Sequence, residues 1–515
     1  MDYRKDRAAS FLSFCYPIEF SLVLAYHSFI IRLDLKNVYD IVAATIKSIG
    51  GHMGSASIRE ILDSKSVAVI GASRDQAKSG SQLLFVLQSV GYQGRIAGVN
   101  PQGGEVFGVP LYRNINEIPF DVDLAVLHIK PAAVPAALAE CAKKGVKGVV
   151  ISSEGFAETG PQGAQIQEDI RQILKSSGMR GFGPNTLGIV NTANRLTSSY
   201  FATPQMLRPG SIGFAAQSGI FVGAFLRYLS SFQGLQLSKG IGLGNKVDID
   251  ESEAMAYLMD DEQTKIIGMY LEDVRDGRRF LDIAKEAVSR KPVLIIKGGR
   301  TQEGAQSSAS HTASMAVNDL VFDGAMRQAG VLRIIGIDEF LRTLRGFLTQ
   351  PLPKGPGLAF VTYSGAQAIM SIDTAIDEGL AVARLGEGTL SKIARVIATP
   401  SKRKNPVDIF PDMNAHGFEK TSIEILKALL EEDTVHGIVI IAYAQPGTEP
   451  YHPIVEALKE QHTKPVFFSL LGEKSDLQTT QTYLDENGFP CYDFPEMAVR
   501  VFSRMWAYAR RRRSL

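Results

Sequence analysis

The chain has 515 residues, and at roughly 150 residues per domain this length predicts two to four domains rather than one core. An apolar fraction of 45% and a charged fraction of 21% are typical of a globular protein and exclude general disorder. The 55 basic and 54 acidic residues leave a net charge of +1, so no charge imbalance favours binding to nucleic acid or to an anionic membrane.

The cysteines and the one long apolar stretch exclude further classes. Cys15, Cys141 and Cys491 are too few and too scattered for a disulfide framework or a zinc site, and they indicate a reducing, cytoplasmic compartment. The stretch 11–33 is interrupted by a proline and by charged residues, and it falls short of the roughly 20 apolar residues that a spanning helix needs. We therefore expect no metal site and no membrane span.

The first 57 residues differ in composition from the rest and are interpreted as an extension that precedes the first domain. We hypothesise that this stretch is translated from upstream of the true start and that Met53 is the initiator. Mass spectrometry of the natural protein tests this hypothesis, since peptides from residues 1–52 would contradict it.

From Ser66 onward one unit recurs: a short apolar segment, a turn of small residues and a helical pattern. Continuous apolar runs, rather than alternating ones, are typical of strands buried on both faces of a parallel sheet. The segment Ala132–Lys144 predicts one of the intervening helices, with Gly145 as its C-cap. The first series of predicted strands comprises Val67–Ile70, Ile96–Val99, Leu124–Ile129 and Val149–Ser152.

Two further series follow proline- and glycine-containing breaks at 208–210 and 351–356. Strand alternating with helix predicts doubly wound α/β domains, near residues 58–205, 206–350 and 355–515. Ligands of such domains bind at the carboxyl ends of the strands. The strands predicted in the second and third series are Ile212–Ala215, Gly240–Leu243, Ile266–Leu271, Val293–Ile296, Leu358–Val361, Ile438–Ala442 and Val466–Leu471.

The first turn, Gly71–Arg74, follows a strand and predicts the start of a helix that reaches Gln88. Glycine lets a phosphate approach the backbone, and a helix N-terminus offers free N–H groups, so a nucleotide is the expected ligand. NAD is disfavoured because the fingerprint G-x-G-x-x-G is absent and the second strand ends in Asn100-Pro101 rather than in an acid. An ordinary turn without a ligand is the alternative.

The segment 297–316 surrounds His311 with glycine, serine and alanine. We interpret it as a mobile loop of small residues, which suits a histidine nucleophile that meets reactants in more than one place. A plain surface histidine in a flexible loop is the alternative reading.

Two further features indicate an anion site and a carboxylate that could assist a histidine nucleophile. Ser218-Gly219 precede a helical pattern at Ile220–Leu229, which predicts an anion site at the helix N-terminus. Glu272 ends an apolar strand and could orient an imidazole, or it could pair with Arg275 or Arg278. Together with a mobile histidine, these features describe phosphoryl transfer through a phosphohistidine.

A set of motifs in this order resembles one family, the α subunits of ADP-forming (NDP-forming) acyl-CoA synthetases, of which acetate–CoA ligase is typical and to which succinyl-CoA synthetase is related. The resemblance covers about residues 57 to 510, nearly the whole chain beyond the extension. The matching motifs are Ser66-Val-Ala-Val-Ile-Gly-Ala-Ser73, Val99-Asn-Pro101, Gly181-Phe-Gly-Pro-Asn-Thr-Leu-Gly188, Gln217-Ser-Gly219, Gly244-Asn-Lys-Val-Asp-Ile-Asp250, Asp276-Gly-Arg-Arg-Phe280, Ser310-His-Thr312 and Asn405-Pro-Val-Asp408.

The resemblance implies a Rossmann-like CoA-binding domain followed by two flavodoxin-like domains of the succinyl-CoA synthetase type. It implies that His311 becomes phosphorylated, that Glu272 steadies it, and that Ser218 and Gly219 cradle the phosphoryl group. It also implies CoA contacts at the first turn and at later strand ends. These CoA contacts fall on Ile70, Gly71, Ala72, Ser73, Asn100, Pro101, Ser152, Ser153, Glu154 and Asn185.

The implied reaction is acyl-CoA + phosphate + ADP ⇌ carboxylic acid + CoA + ATP, by way of an acyl phosphate and a phosphohistidine. The family's nucleotide-binding ATP-grasp domain is not recognisable in this sequence. We therefore expect an ATP-grasp β subunit as partner, in an αβ or α2β2 assembly, with ADP or ATP and Mg²⁺ bound there. The chain alone would exchange phosphate with the acyl-CoA of a small carboxylic acid but would not make ATP.

The sequence departs from the family pattern at several positions: Ala313 replaces a glycine after the histidine motif, Thr186 a common cysteine, Gln102 a basic residue and Asp273 a glycine. Ala at a position that needs a positive φ costs on the order of 1 kcal/mol and would stiffen the segment. These departures leave open a second hypothesis, a catalytically inactive module that senses CoA or acyl-CoA. A third, an NAD-dependent enzyme, requires that the first turn bind NAD.

Overall fold

The computed structural model describes residues 56–312, 318–410 and 412–513, and for 308–312 it describes the backbone alone. Residues 1–55 of the predicted N-terminal extension, Met53 among them, and Ala313 lie outside the described residues. Three β-sheets with flanking helices follow one another along the described chain. The predicted α/β fold class is confirmed.

The first sheet has seven strands in the order β3-β4-β2-β1-β5-β6-β7, and all neighbouring strands are parallel except β3 and β4. Its four predicted strands are confirmed within two residues at each end. The strands are β1 (Ser66–Ile70), β2 (Arg95–Val99), β3 (Gly104–Val106), β4 (Val109–Tyr112), β5 (Leu124–Leu127), β6 (Gly148–Ile151) and β7 (Arg180–Phe182). The helices are α1 (Ile58–Leu62), α2 (Ser79–Ser89), α3 (Val134–Lys144) and α4 (Pro161–Ser177).

Two of these helices tested the sequence predictions directly. Helix α3 ends at Gly145, whose left-handed φ of 77° makes it the predicted C-cap. It buries Val134, Leu138 and Cys141, the spacing that places one face of a helix on a sheet. The helix predicted to open at Gly71–Arg74 begins only at Ser79, so that prediction was wrong in its start, because an exposed polar segment separates the turn from the helix.

The second sheet has the order β14-β13-β12-β10-β11-β8-β9, and β8 runs antiparallel to both of its neighbours. Strands β8 and β9 lie before residue 206, so the chain enters this sheet ahead of the predicted boundary, which stays a prediction. The strands are β8 (Ile189–Asn191), β9 (Leu196–Thr197), β10 (Ile212–Ala216), β11 (Leu237–Gly242), β12 (Ile266–Leu271), β13 (Val293–Lys297) and β14 (Leu332–Ile334).

The helices around the second sheet start with a π-helical turn at Phe221–Phe225 that continues into α5. The residues 302–312, predicted as a mobile loop, are helical, so that part of the prediction was wrong. Alanine, glutamine and glutamate favour a helix there despite the many small side chains. The helices are α5 (Leu226–Leu229), α6 (Glu251–Asp260), α7 (Gly277–Arg290), α8 (Gln302–Thr312), α9 (Asp319–Ala329) and α10 (Ile337–Thr349).

The third sheet is parallel, with the order β16-β15-β18-β19-β20 and with β17 paired to β15. Its last helix, α17, packs against α10 of the second domain and α11 of the third. The strands are β15 (Gly357–Thr362), β16 (Ala381–Val382), β17 (Val407–Asp408), β18 (Gly437–Tyr443), β19 (Val466–Leu471) and β20 (Cys491–Tyr492). The helices are α11 (Gly365–Asp377), α12 (Glu387–Ile393), α13 (Asp412–His416), α14 (Phe418–Glu431), α15 (His452–Glu460), α16 (Lys474–Glu486) and α17 (Pro495–Arg513).

Ion pairs join the first sheet to the second. Arg180 on β7 donates to Asp248 and to Glu253, each at 2.8 Å. Asn245 donates to Glu158 of the first domain at 2.7 Å. In the described part of the chain, no helix has the length and apolar character that crossing a bilayer requires.

A substitution at Gly71 tests how closely the turn after β1 approaches the backbone of His128. Its φ is +95°, and a Cβ there would overlap the backbone carbonyl oxygen of His128. Gly145 is the matched control, because its φ is +77° and a Cβ there would meet no other atom within 4 Å. We expect Gly145→Ala to cost about 1 kcal/mol and Gly71→Ala about 3 kcal/mol. Urea unfolding of the two variants measures this, and equal losses would contradict the close approach.

Candidate active site

A cleft of about 630 Å³ lies where the carboxyl ends of β5 and β6 face Gly219 and Ile220, which precede the π-helical turn Phe221–Phe225 of the second domain. Its walls come from both domains. Ligands of doubly wound sheets bind at the carboxyl ends of the strands, as in this cleft. The structure brings together five of the residues predicted from the sequence. They are Ser152, Ser153, Glu154, Asn185 and Gly219.

The other predicted CoA contacts lie beside this cleft and do not line it. Ile70 and the turn that follows it end β1, and Asn100 and Pro101 follow β2. Asn100 donates from Nδ2 to the carbonyl oxygen of Ala72 at 2.7 Å, which ties the two turns together. The hydroxyl of Ser81 donates to the carbonyl of Ser73 at 2.7 Å, so the N-terminal turn of α2 rests on the predicted diphosphate turn.

Sequence reasoning missed several residues of the cleft. His128 directly follows β5, and its position at a strand end is the signal that could have identified it. Burial lowers the pKa of His128 to about 4, so its imidazole is neutral at neutral pH. The other lining residues that were not predicted as site residues are Ser79, Ile129, Lys130, Pro131, Thr186, Leu187, Tyr200, Phe201 and Ile220.

Glu272 lies at the end of β12 and is 8% exposed. Its backbone N–H donates to the side-chain oxygen of Gln217 at 2.9 Å, and its Oε1 accepts from the hydroxyl of Tyr270 at 3.2 Å. Burial raises the pKa of Tyr270, and the neighbouring Glu272 carboxylate raises it further. Tyr270 therefore stays a hydrogen-bond donor to this carboxylate over the physiological pH range.

Behind this carboxylate lies a buried charge cluster around Lys246, which sequence reasoning also missed. The ammonium of Lys246 contacts the carboxylate of Asp273 and lies 2.9 Å from Glu251. Gln217 donates from Nε2 to Asp273 at 2.5 Å. Asp273, a departure from the family pattern, thus connects the buried ammonium to the turn that carries Ser218.

Ser218 and Gly219 are half-buried and precede the π-helical turn Phe221–Phe225. The first N–H groups of a helix have no partner within the helix and carry a partial positive charge, which suits an anion. The ring of Phe221 stacks on Tyr270 with centroids 4.2 Å apart. This contact and the Gln217 hydrogen bonds place Glu272 beside the start of the helix.

His311 lies near the end of α8, and its side chain is outside the described part. Gly298 precedes α8 and lies close to Glu272. A Cβ built on Gly298 would lie 2.7 Å from the Tyr270 hydroxyl and 3.2 Å from Glu272 Cγ. Helix α8 contacts the short turn Ala157–Thr159 of the first domain. The backbone of the histidine segment therefore runs from Glu272 toward the first domain.

Comparison with known proteins defines the class of protein. A succinyl-CoA ligase-like flavodoxin domain matches residues 209–347, and a CoA-binding domain matches residues 65–192. This chain is similar to a solved structure of dinucleotide forming acetyl-coenzyme A synthetase 1 from Ca. Korarchaeum cryptofilum, in complex with phosphate and ADP. The two structures superpose with a TM-score of 0.80, and their sequences are 29% identical. The match covers 87% of this chain and 96% of that one. The fold is that of CoA ligases.

Two relatives narrow the class to a family. Acetate–CoA ligase [ADP-forming] II of Archaeoglobus fulgidus is 36% identical over 88% of this chain and 67% of its own length. The α subunit of acetate–CoA ligase [ADP-forming] II of Pyrococcus furiosus is 35% identical over 84% of this chain and 93% of its own length. The chain belongs to the ADP-forming acetate–CoA ligase family, as the motifs predicted. These relatives carry ligase names, and neither supports the alternative of an inactive sensor.

A substitution at Lys246 tests how much its buried charge cluster contributes to the stability of the fold. Lys246 is 3% exposed at its side chain, and Lys246→Met would leave the carboxylates of Glu251 and Asp273 buried without their cation. We expect a loss of about 3 kcal/mol or more in the free energy of unfolding, measured in urea.

The matched control is Lys143→Met, which breaks the solvent-exposed pair with Glu140 and should leave the unfolding midpoint nearly unchanged. Equal midpoints for the two variants would show that the Lys246 cluster does not hold this part of the fold.

Proposed function

We propose that this chain is the α subunit of an ADP-forming acyl-CoA synthetase of the acetate–CoA ligase type. Its reaction is acyl-CoA + phosphate + ADP ⇌ carboxylic acid + CoA + ATP. The observation that carries this proposal is the single cleft lined both by Ser152–Glu154, assigned to CoA, and by Gly219, assigned to phosphate. Acyl-CoA and phosphate must meet for the first step, and the cleft offers one space for both.

The residues at the first domain's strand ends suit CoA as a substrate. The hydroxyl of Ser152 is buried and has no hydrogen-bond partner among the described residues, so a bound ligand can satisfy it. Lys130 is exposed at the edge of the cleft and offers a positive charge to a phosphorylated ligand.

The phosphoryl group is then carried by the chain itself. Phosphate attacks the thioester carbon and displaces CoA, which gives an acyl phosphate. A nitrogen of His311 attacks the phosphorus, and the P–O bond to the acyl group breaks, which releases the carboxylate. Glu272 stabilises the proton on the other imidazole nitrogen, and the helix start at Ser218 and Gly219 neutralises the phosphoryl charge.

ATP formation takes place on a partner. We infer an ATP-grasp β subunit, in an αβ or α2β2 assembly, which binds ADP or ATP with Mg²⁺ and accepts the phosphoryl group from His311. Two coverages support this inference. This chain spans 93% of the Pyrococcus furiosus relative, which is named as an α subunit, but 67% of the Archaeoglobus fulgidus relative. Mg²⁺ would neutralise the nucleotide phosphates.

The phosphohistidine is tested with radiolabelled phosphate and acetyl-CoA. We expect the wild-type chain to take up acid-labile phosphate and His311→Ala to take up none, because the nucleophile is missing. Glu272→Gln should slow labelling by about 10- to 100-fold, since the orienting charge is lost. His416→Ala is the matched control, an exposed histidine of the third domain, and should label like the wild type.

A wild-type chain that binds CoA in calorimetry but never acquires acid-labile phosphate, with or without the β subunit and ATP, would overturn the proposed function. That result would favour the inactive CoA-sensing alternative. The same calorimetry with NAD distinguishes the third hypothesis.

A further inference from the structure

Two buried polar groups without partners lie side by side in the cleft. Leu127 and Ile151 are paired neighbours on parallel strands, and the N–H of Ser152 donates to the carbonyl of Leu127 at 3.1 Å. His128 and Ser152 therefore follow at adjoining strand ends, about 4.8 Å apart in the sheet. In the described part of the molecule, neither His128 Nε2 nor Ser152 Oγ has a hydrogen-bond partner.

The hydrogen-bond state of His128 follows from its surroundings. Its Nδ1 lies 3.3 Å from the hydroxyl of Ser79 at the start of α2. The imidazole is neutral because burial lowers its pKa to about 4, so only one ring nitrogen carries a proton. We assign the Ser79 hydroxyl as the donor to Nδ1, an assignment that places the ring proton on Nε2 and makes Nε2–H a donor in need of an acceptor.

An unsatisfied buried donor costs about 1–3 kcal/mol, so it indicates that a ligand supplies the acceptor. Ser152, the neighbour of His128, is already assigned to CoA. Gly219 and Ile220 line the same cleft at the phosphate helix. A thioester that reaches this phosphate from the CoA side has its carbonyl group in the cleft that His128 lines.

We propose, on the basis of the proposed function, that His128 donates its Nε2–H to the carbonyl oxygen of the acyl-CoA thioester and stabilises the oxyanion that forms there. An oxygen of hydrogen phosphate bonds to the carbonyl carbon, and the C=O electron pair moves to the oxygen. The C–S bond then breaks, the carbonyl re-forms, and the proton of hydrogen phosphate ends on the CoA sulfur.

Apolar side chains surround this donor. Tyr200 approaches the His128 ring edge-on with centroids 6.0 Å apart and packs on Phe201 at 4.7 Å. With a ligand in place these rings and Ile220 limit the access of water, and a hydrogen bond to a developing negative charge is stronger where water is excluded. His128 is thus a catalytic residue of the first step and takes no part in phosphoryl transfer by His311.

The experiment measures phosphate-dependent release of CoA from acetyl-CoA by the chain with its β subunit. His128→Asn keeps a side-chain group near Ser79 but removes the donor at Nε2, and it should lower kcat by about 100-fold. The KM for acetyl-CoA should change less than about threefold, and affinity for free CoA should stay the same, because CoA lacks the carbonyl. His128→Gln, whose longer amide places a donor near the Nε2 position, should recover about tenfold of the loss.

A control separates this proposal from a general effect of substitution. His416→Asn, at an exposed histidine of the third domain, should behave as wild type in both CoA release and phosphate labelling. If His128→Asn keeps kcat within threefold of wild type, or if Gln gives no recovery, the oxyanion role of His128 is refuted. A wild-type chain without CoA release or label refutes the proposed function itself, and the role of His128 with it.

If His128→Asn also loses CoA binding, Ser79→Ala provides the deciding comparison. That variant leaves the imidazole in place but removes the hydroxyl that we assign as the donor to Nδ1. We expect kcat for CoA release to fall about tenfold with unchanged CoA affinity. An unchanged kcat would overturn the proposal.

Discussion

The side chain of Gln217 joins the two halves of the proposed phosphoryl site. Its oxygen accepts the backbone N–H of Glu272, and its nitrogen donates to Asp273, whose carboxylate is fixed by the buried ammonium of Lys246. The turn that follows Gln217 leads into the π-helical turn Phe221–Phe225, so the start of this helix and the Glu272 carboxylate are held in one geometry. Because Lys246 also pairs with the fully buried Glu251, the proposed anion site rests on a desolvated charge cluster and not on loop contacts.

The cleft exists because two sheets present their carboxyl ends to each other. The first sheet contributes His128 and Ser152 from adjacent strand ends, and the second contributes Gly219. The ion pairs of Arg180 with Asp248 and Glu253 connect the two domains that carry these sheets. In the proposed function, a substrate held by the first sheet meets an anion held by the second, and helix α8 of the second domain contacts the turn Ala157–Thr159 of the first. The proposal thus assigns acyl transfer and phosphoryl transfer to one cleft.

The sequence predicted the parts of this fold that depend on local patterning. Apolar runs located the predicted strands within three residues at each end, and glycine located the end of α3. The helical state of 302–312 was missed because small residues were taken to mean flexibility, although the alanines among them favour a helix. The pairing of β8 with β11 was missed since it joins segments far apart in sequence. His128 was missed because a lone histidine after a strand has no motif, and only the folded cleft leaves its Nε2 without a partner.

The central claim is that one imidazole, at position 311, carries the phosphoryl group. Trypsin releases the segment 301–327 as a single peptide, and His311 is its only histidine. The most direct measurement is mass spectrometry of this digest at alkaline pH, after the chain has reacted with phosphate and acetyl-CoA. The account predicts a phosphate on His311 of that peptide, lost on acid treatment. Acid-labile phosphate on a different peptide, with 301–327 unmodified, would contradict it.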